Sequence, residues 1–412
     1  MTIRSYTSIT ACFAATALGL GFAGALPAAA QTYENMPTSQ SPATIPAVGH
    51  PAKRAVAFGS QLPSITIARA DILSYPETQN PHRKAPFRVD SNAPSVWIDG
   101  KFVVFRSWEQ VWRASGESFA SLKSDGRAPF TYPALNYLWY WMESVWPAKD
   151  GTLYGWYHQE VPNICPPRAG AAAPGYPVRA KVGAARSKDQ GKTWEDLGVV
   201  VGGNDSDIKC ESGNAWYAGG AGDFNVYADK DRKYYYIYYA GFSPNFAEQG
   251  LSVARVAAAD LDDPVGKAQR WYQGSWSEPG LGGRTSPIFP ATVDIYQADG
   301  QTFWGPVIHY NQYLGKYVMV LNRIRDTKWT TEGIYLAFSD DIANPAGWSK
   351  PVKIMDRAEA TAGDPSKESW NGWYAQLLGT GPGETDKDAS QHARLFIDGI
   401  SRWEITFNKP RL

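Results

Sequence analysis

The chain has 412 residues, and its 40 Lys and Arg balance 40 Asp and Glu. A formal charge of zero argues against nucleic acid as the main partner, and 43% hydrophobic with 19% charged residues excludes a disordered chain. Aromatics reach 14%, with 17 Trp and 23 Tyr beside 39 Gly and 29 Pro, which favours short strands and turns over long helices.

Residues 1–30 read as an export signal rather than as fold. Arg4 supplies the positive start, Ile9 to Leu26 is apolar and small, and Ala28, Ala29 and Ala30 offer an A-x-A-like cleavage site. No later stretch is long enough to span a bilayer. The expected product is a periplasmic or secreted bacterial protein with no membrane contact after processing. Cys12 leaves with the signal. The remaining Cys165 and Cys210 are expected to pair in an oxidising compartment. Residues 31–60, rich in Pro, Ala, Ser and Thr without apolar period, read as a flexible arm. Residues 61–412 read as one domain.

Within that domain a hairpin recurs: a polar entry, an apolar strand, a tight turn and an aromatic strand. Its copies run from Pro94 to Arg106, Glu143 to His158, Asp223 to Tyr239, Gly305 to Asn322 and, with a Gly/Asp-rich insert, Trp373 to Asp398. Turns such as Asp99-Gly100, Asp150-Gly151 and Leu314-Gly315 carry the residues a hairpin needs. Third strands follow at Gly183 to Ser187, Leu251 to Arg255 and Gly333 to Phe338, each trailed by a Trp (Trp194, Trp271, Trp348) opening a fourth. Four strands per unit and five units predict an all-β, five-bladed β-propeller with long decorated loops. Ser64 to Ala68 is expected to complete the last blade and close the ring. A β-sandwich is the alternative.

The stretch from Ser187 through Asp189 and Gly191 to Trp194 resembles the Asp-box of sialidases and many other propellers. In such proteins it is a turn between third and fourth strands, away from the active site. Asp189, Gly191 and Trp194 are therefore read as structural.

The wider pattern, over roughly residues 60–408, resembles the five-bladed propeller glycoside hydrolases of the arabinanase, β-xylosidase and invertase group. Asn92 to Val103 is similar to that group's first blade and Gly222 to Tyr227 to a later one. Two departures stand out: Ala93 replaces the acid before Pro94, and Trp304-Gly305-Pro306 stands where the group has Glu-Gly-Pro.

Inner strands of a propeller begin at its funnel face. Counting back from the turns places Asn92, Glu143 and Asp223 there, with Asp90 on the side of Asn92. Glycoside hydrolysis needs one protonated and one ionised carboxyl group, and a third acid can hold their pKa values apart. By the resemblance, Asp90 is the base, Glu143 the pKa modulator and Asp223 the proton donor. Second-strand ends add Arg106, His158 and Arg323; His309, Arg284 and the stacking surface of Trp304 complete the expected substrate contacts.

The expected activity is carbohydrate cleavage by hydrolysis, on a polysaccharide or oligosaccharide. The alternatives are a polysaccharide lyase using His158, His309, Tyr310 and Arg284 on a uronate, and a non-catalytic sugar-binding propeller. No cofactor and no catalytic metal are expected. A structural Ca2+ in the channel is the one ion the architecture could take. The expected partner is the carbohydrate alone, bound by a monomer.

Overall fold

The computed structural model describes residues 54–77, 88–131, 139–204, 207–361 and 372–410. The export signal and most of the arm lie outside the described residues. Pairing sorts the strands into five antiparallel units in chain order. First strands are Ser95–Ile98, Trp139–Pro147, Tyr217–Ala228, Phe303–Asn311 and Gln376–Leu378; second strands are Lys101–Ser107, Leu153–Val161, Tyr234–Gly241, Lys316–Ile324 and His392–Ile397. Third strands are Val111–Gly116, Val178–Ser187, Gly250–Ala257, Thr331–Ser339 and Ile400–Asn408. Fourth strands are Lys123–Arg127, Glu195–Val201, Gln269–Tyr272, Val352–Asp356 and, from the start of the chain, Ser64–Ser74.

Apolar cores join each unit to the next. Val103 and Phe105 of the first pack with Met142 and Tyr157 of the second. Trp156, Ile237 and Met319 link the second, third and fourth. Val320 and Leu395 link the fourth and fifth. Phe396 of the fifth returns to Phe102 and Val104 of the first. A ring of sheets packed face to face in this way is a β-propeller, as the strand pattern predicts. It also explains why a run such as Tyr234–Gly241 does not alternate polar and apolar. Both of its faces meet a neighbouring sheet, and all but Tyr234 are buried.

First strands of neighbouring units touch one another and line the axis. A parallel pairing of Tyr217 to Gly220 with Val178 to Ala180 fuses the second and third units into one continuous sheet. Gly220 permits it, since a Cβ there would stand 2.0 Å from the Ala180 carbonyl oxygen. Ser64–Ser74 pairs antiparallel with Ile400–Asn408 and closes the ring as expected. Within the stretch read as the arm, Arg54–Ala57 forms a strand that continues this sheet.

The turn from Ser187 to Trp194 joins third and fourth strands of the second unit. Asp189 accepts from the Lys192 and Thr193 amides and from the Ser187 and Thr193 hydroxyls. Trp194 is buried against Phe105 of the first unit, ring centroids 5.4 Å apart. Cys165 and Cys210 form a disulfide.

In the fifth unit, the insert 379–391 reaches the first strand of every other unit. Trp97 Nε1 donates to the Glu384 carbonyl, and the Tyr227 hydroxyl and Tyr310 amide donate to that of Lys387. The Lys387 ammonium lies 5.5 Å from the Trp146 ring centroid. No helix among the described residues is long and apolar enough to cross a membrane.

Candidate active site

The first strands of the second, third and fourth units all break register. The breaks fall at Glu143, at Asp223 and at Gly305-Pro306. Such a bulge leaves a residue unpaired and re-aims its side chain. Asp223 has φ +41° and Gly305 +56°, and Tyr374, just before the first strand of the fifth unit, has +53°. Positive φ is strained for Asp and Tyr, and such strain concentrates where geometry serves function. Gly222 makes room for the device: a Cβ on it would lie 2.5 Å from His158 Nε2.

Glu143, His158 and Asp223 meet here, all buried. His158 Nδ1 accepts the Asp223 amide at 3.5 Å, so the ring hydrogen sits on Nε2, which has no partner among the described residues. Burial pushes the His158 pKa down to about 3. The ring is therefore neutral, and its approaches of 3.7 Å to Asp223 Oδ1 and 3.9 Å to Glu143 Oε1 are not ion pairs. Burial, and then the charge of Asp223, raise the Glu143 pKa well above the carboxylate range. Glu143 is pushed toward its protonated form. Its Oε2 accepts only the long 3.4 Å bond of the Asn92 amide. Burial also raises the Asp223 pKa, while the Tyr217 hydroxyl, donating to Oδ2 at 2.9 Å, pulls it back toward ionisation.

One ligand atom from each of these three residues lies within 4.8 Å of the others, so they could face a metal ion. Two carboxylates and one nitrogen fall short of the six to eight oxygens Ca2+ takes. The His158 Nδ1 lone pair is already used by the Asp223 amide. A proton on Glu143 would relieve the repulsion between the two carboxyl groups.

Above the cluster opens a pocket. Its polar lining is Asp90, His158, Glu160 and Asp223; its walls are Trp141, Tyr176, Trp216, Tyr217, Trp304, Trp329, Trp373 and Tyr374. Among the described residues no Lys or Arg lines it. The pocket is narrow, with room for roughly two water molecules, so these acids are scarcely hydrated. Asp90 Oδ2 accepts from Trp141 Nε1 at 3.2 Å. Glu160 accepts from the Tyr176 hydroxyl at 2.7 Å. Burial, offset in part by that bond, raises the Glu160 pKa to about 8. Glu143 is absent from the lining. The carboxyl groups that face the pocket are those of Asp90, Glu160 and Asp223.

Of the expected contacts, His158 and Trp304 line this pocket and the others do not. Asn92 is buried on the axis, its Nδ2 donating to the Phe224 and Pro306 carbonyls, which ties the first, third and fourth units. Its neighbour Ala93, the departure before Pro94, is held through its backbone by the Gln376 amide of the fifth unit. Arg106 is buried, donating to the Pro76 carbonyl. Arg284 pairs with Glu278 at 2.6 Å and lies over Tyr272, at an exposed site. His309 is buried against Phe407. Arg323 donates to Thr292 and Gln301.

Glu160, Tyr176 and Tyr217 are absent from the sequence-based set. Glu160 carried a usable signal: two residues beyond His158 in a strand, it shares that residue's side. Tyr176 sits in a long loop whose contacts no local pattern announces.

No protein-family profile matches the chain, and no curated protein sequence is significantly similar to it. Solved structures that resemble it are glycoside hydrolases. An exo-β-1,3-galactanase from Phanerochaete chrysosporium is 13% identical over 81% of this chain, with a TM-score of 0.43. The chain spans only 63% of that protein's length. An exo-β-1,3-galactanase from Clostridium thermocellum is 11% identical, covering 82% of this chain and 62% of its own, with a TM-score of 0.45. The arabinanase of Bacillus subtilis is 14% identical, covering 78% of this chain and 94% of its own, with a TM-score of 0.41.

Proposed function

We propose that the protein is an exported, monomeric glycoside hydrolase acting on a polysaccharide or oligosaccharide at this pocket. The observation that supports it is a set of three carboxyl groups, Asp90, Glu160 and Asp223, lining one aromatic-walled pocket on the propeller axis. Aromatic faces stack on sugar rings, and poorly hydrated carboxyl groups supply the acid and base that hydrolysis needs. A bound sugar displaces the pocket's waters and stacks on its aromatic wall. Asp223, receiving the Tyr217 hydroxyl beside a protonated Glu143, is the ionised member that activates water, in place of the donor's role suggested by resemblance.

A lyase would need a cation beside a uronate, and Arg284 and His309 lie outside the pocket. A sugar-binding protein without catalysis remains the second reading, favoured by Trp304 in the place of an acid. Incubation with a panel including β-1,3-galactan, arabinan and xylan separates them. The expected result is release of new reducing ends, lowered at least about 100-fold in kcat by Asp223→Asn. Tight binding without turnover would favour the second reading, and a product with the ultraviolet absorbance of an unsaturated uronate would restore the lyase.

A further inference from the structure

We propose that Glu160 is the proton donor of this site, resting on the hydrolase reading above. Hydrolysis needs a carboxylic acid that reaches the leaving oxygen, and the usual sources are blocked. Glu143 lies outside the pocket and against Asp223. The fourth unit offers Trp304, a buried indole, where an acid would stand by resemblance. Asp223, its pKa pushed up to about 7 by burial, is pulled back toward ionisation by the Tyr217 hydroxyl and sits below Glu160.

Glu160 faces the same pocket from the second strand of the second unit, where it pairs with Trp139 and Ala180. It is 5% exposed, with no cation in contact among the described residues. One oxygen is occupied by the Tyr176 hydroxyl, and Tyr176 is itself stacked on Trp139 with centroids 5.3 Å apart. That fixes the carboxyl plane against the aromatic wall. Tyr217, which donates to Asp223, also interacts with Glu160 and so connects the two acids. Burial keeps Glu160 protonated at neutral pH, the state a donor requires.

The step then balances. The Glu160 O–H proton passes to the glycosidic oxygen as the C1–O bond breaks and its electron pair stays on that oxygen. A water oxygen bonds to C1, and the water's proton goes to Asp223. Proton return from Asp223 to Glu160 through solvent resets the site.

The test is Glu160→Gln, assayed on glycosides of the sugar the wild type cleaves, with a poor alkyl and a dinitrophenyl leaving group. Loss of a donor should lower kcat about 1000-fold for the alkyl group and less than about 10-fold for the dinitrophenyl group, which needs little protonation. The alkaline limb of the wild-type pH profile should disappear. In Tyr176→Phe, which removes a hydrogen bond that favours ionised Glu160, that limb should move to higher pH. Equal losses with both leaving groups, or a retained limb, would overturn the role. Should Glu160→Gln fail to fold, an unmoved limb in Tyr176→Phe would overturn it. A wild type with no turnover on any glycan would remove the hydrolase reading itself, a result distinct from an active wild type indifferent to Glu160.

Discussion

Two groups of buried acids lie along the axis, and the fold treats them differently. In the fifth unit's insert, Asp386 receives the Lys387 ammonium at 3.0 Å on both oxygens, with the Ser95 amide and hydroxyl at 2.8 Å on one. In the funnel, Glu143, Glu160 and Asp223 have no ammonium or guanidinium in contact among the described residues, and burial raises the pKa of each. The first group joins the first and fifth units and has its charge answered. The second is kept short of water and cation, which leaves protons poised near neutrality. Unanswered buried acids in a cleft mark chemistry more reliably than buried acids as such.

The comparison can be broken from the insert side. Lys387→Met leaves Asp386 buried without its cation and should lower stability by about 3–5 kcal/mol in denaturant unfolding. Turnover by the protein that stays folded should change little. Asp386→Asn combined with Lys387→Met should cost less than the single change, since no lone charge remains. A double variant as unstable as the sum of both singles would show that the pair is not a unit.

The funnel side predicts a pH dependence of stability. Glu160 has an ordinary pKa of 4.5 when unfolded and about 8 when folded. Between these values the folded protein holds a proton that the unfolded chain has released. Its contribution is therefore fully present below about pH 4.5 and lost as pH rises toward about 8, by at most about 1.4 kcal/mol per pH unit. The melting temperature should fall across that window, and Glu160→Gln should flatten the fall. An unchanged slope in that variant would place the titration elsewhere.

Asp189 sharpens the contrast from a third direction. Burial alone would raise its pKa, but bonds from Thr193, Ser187 and Lys192 outweigh this and hold it below the ordinary value. Asp189→Ala should lower stability by about 1–2 kcal/mol through lost turn bonds and leave kcat nearly unchanged. A large kcat loss at an unchanged melting temperature would put that turn in the site.

Strand periodicity and turn residues made the architecture legible before any coordinates. Hairpins at Asp99-Gly100 and Asp150-Gly151 and the third strand after the second of them are patterns within one or two elements, whereas the first unit's third strand, Val111–Gly116, is absent from the sequence-based set. Asp90, Glu143, Asp223 and His158 were reachable because strand entries can be counted from turns. The counting could not tell the pocket wall from the layer beneath it. Bulges at Glu143 and Asp223 decide that, and only the second carries a mark in residue type, the Gly222 before it. Arg106, Arg284 and Arg323 lie outside the pocket, since a guanidinium in a sequence looks the same whether it meets a ligand, the Pro76 carbonyl, Glu278 or Gln301. Tyr176 depends on a loop's path, which is tertiary.

The closing pairing has a consequence for when this protein can become itself. Ser64–Ser74 waits for Ile400–Asn408, its partner across almost the whole chain. Joining ends so far apart costs chain entropy of about 5 kcal/mol by the logarithmic law of loop closure, and until then only the short hairpin with Arg54–Ala57 pairs that strand. The first described strands are made first and satisfied last. Until the final strand emerges, the fifth unit lacks its outer neighbour and the first unit lacks the Phe396 face it packs on. A chain assembled this way stays an open ring until its last strand is made.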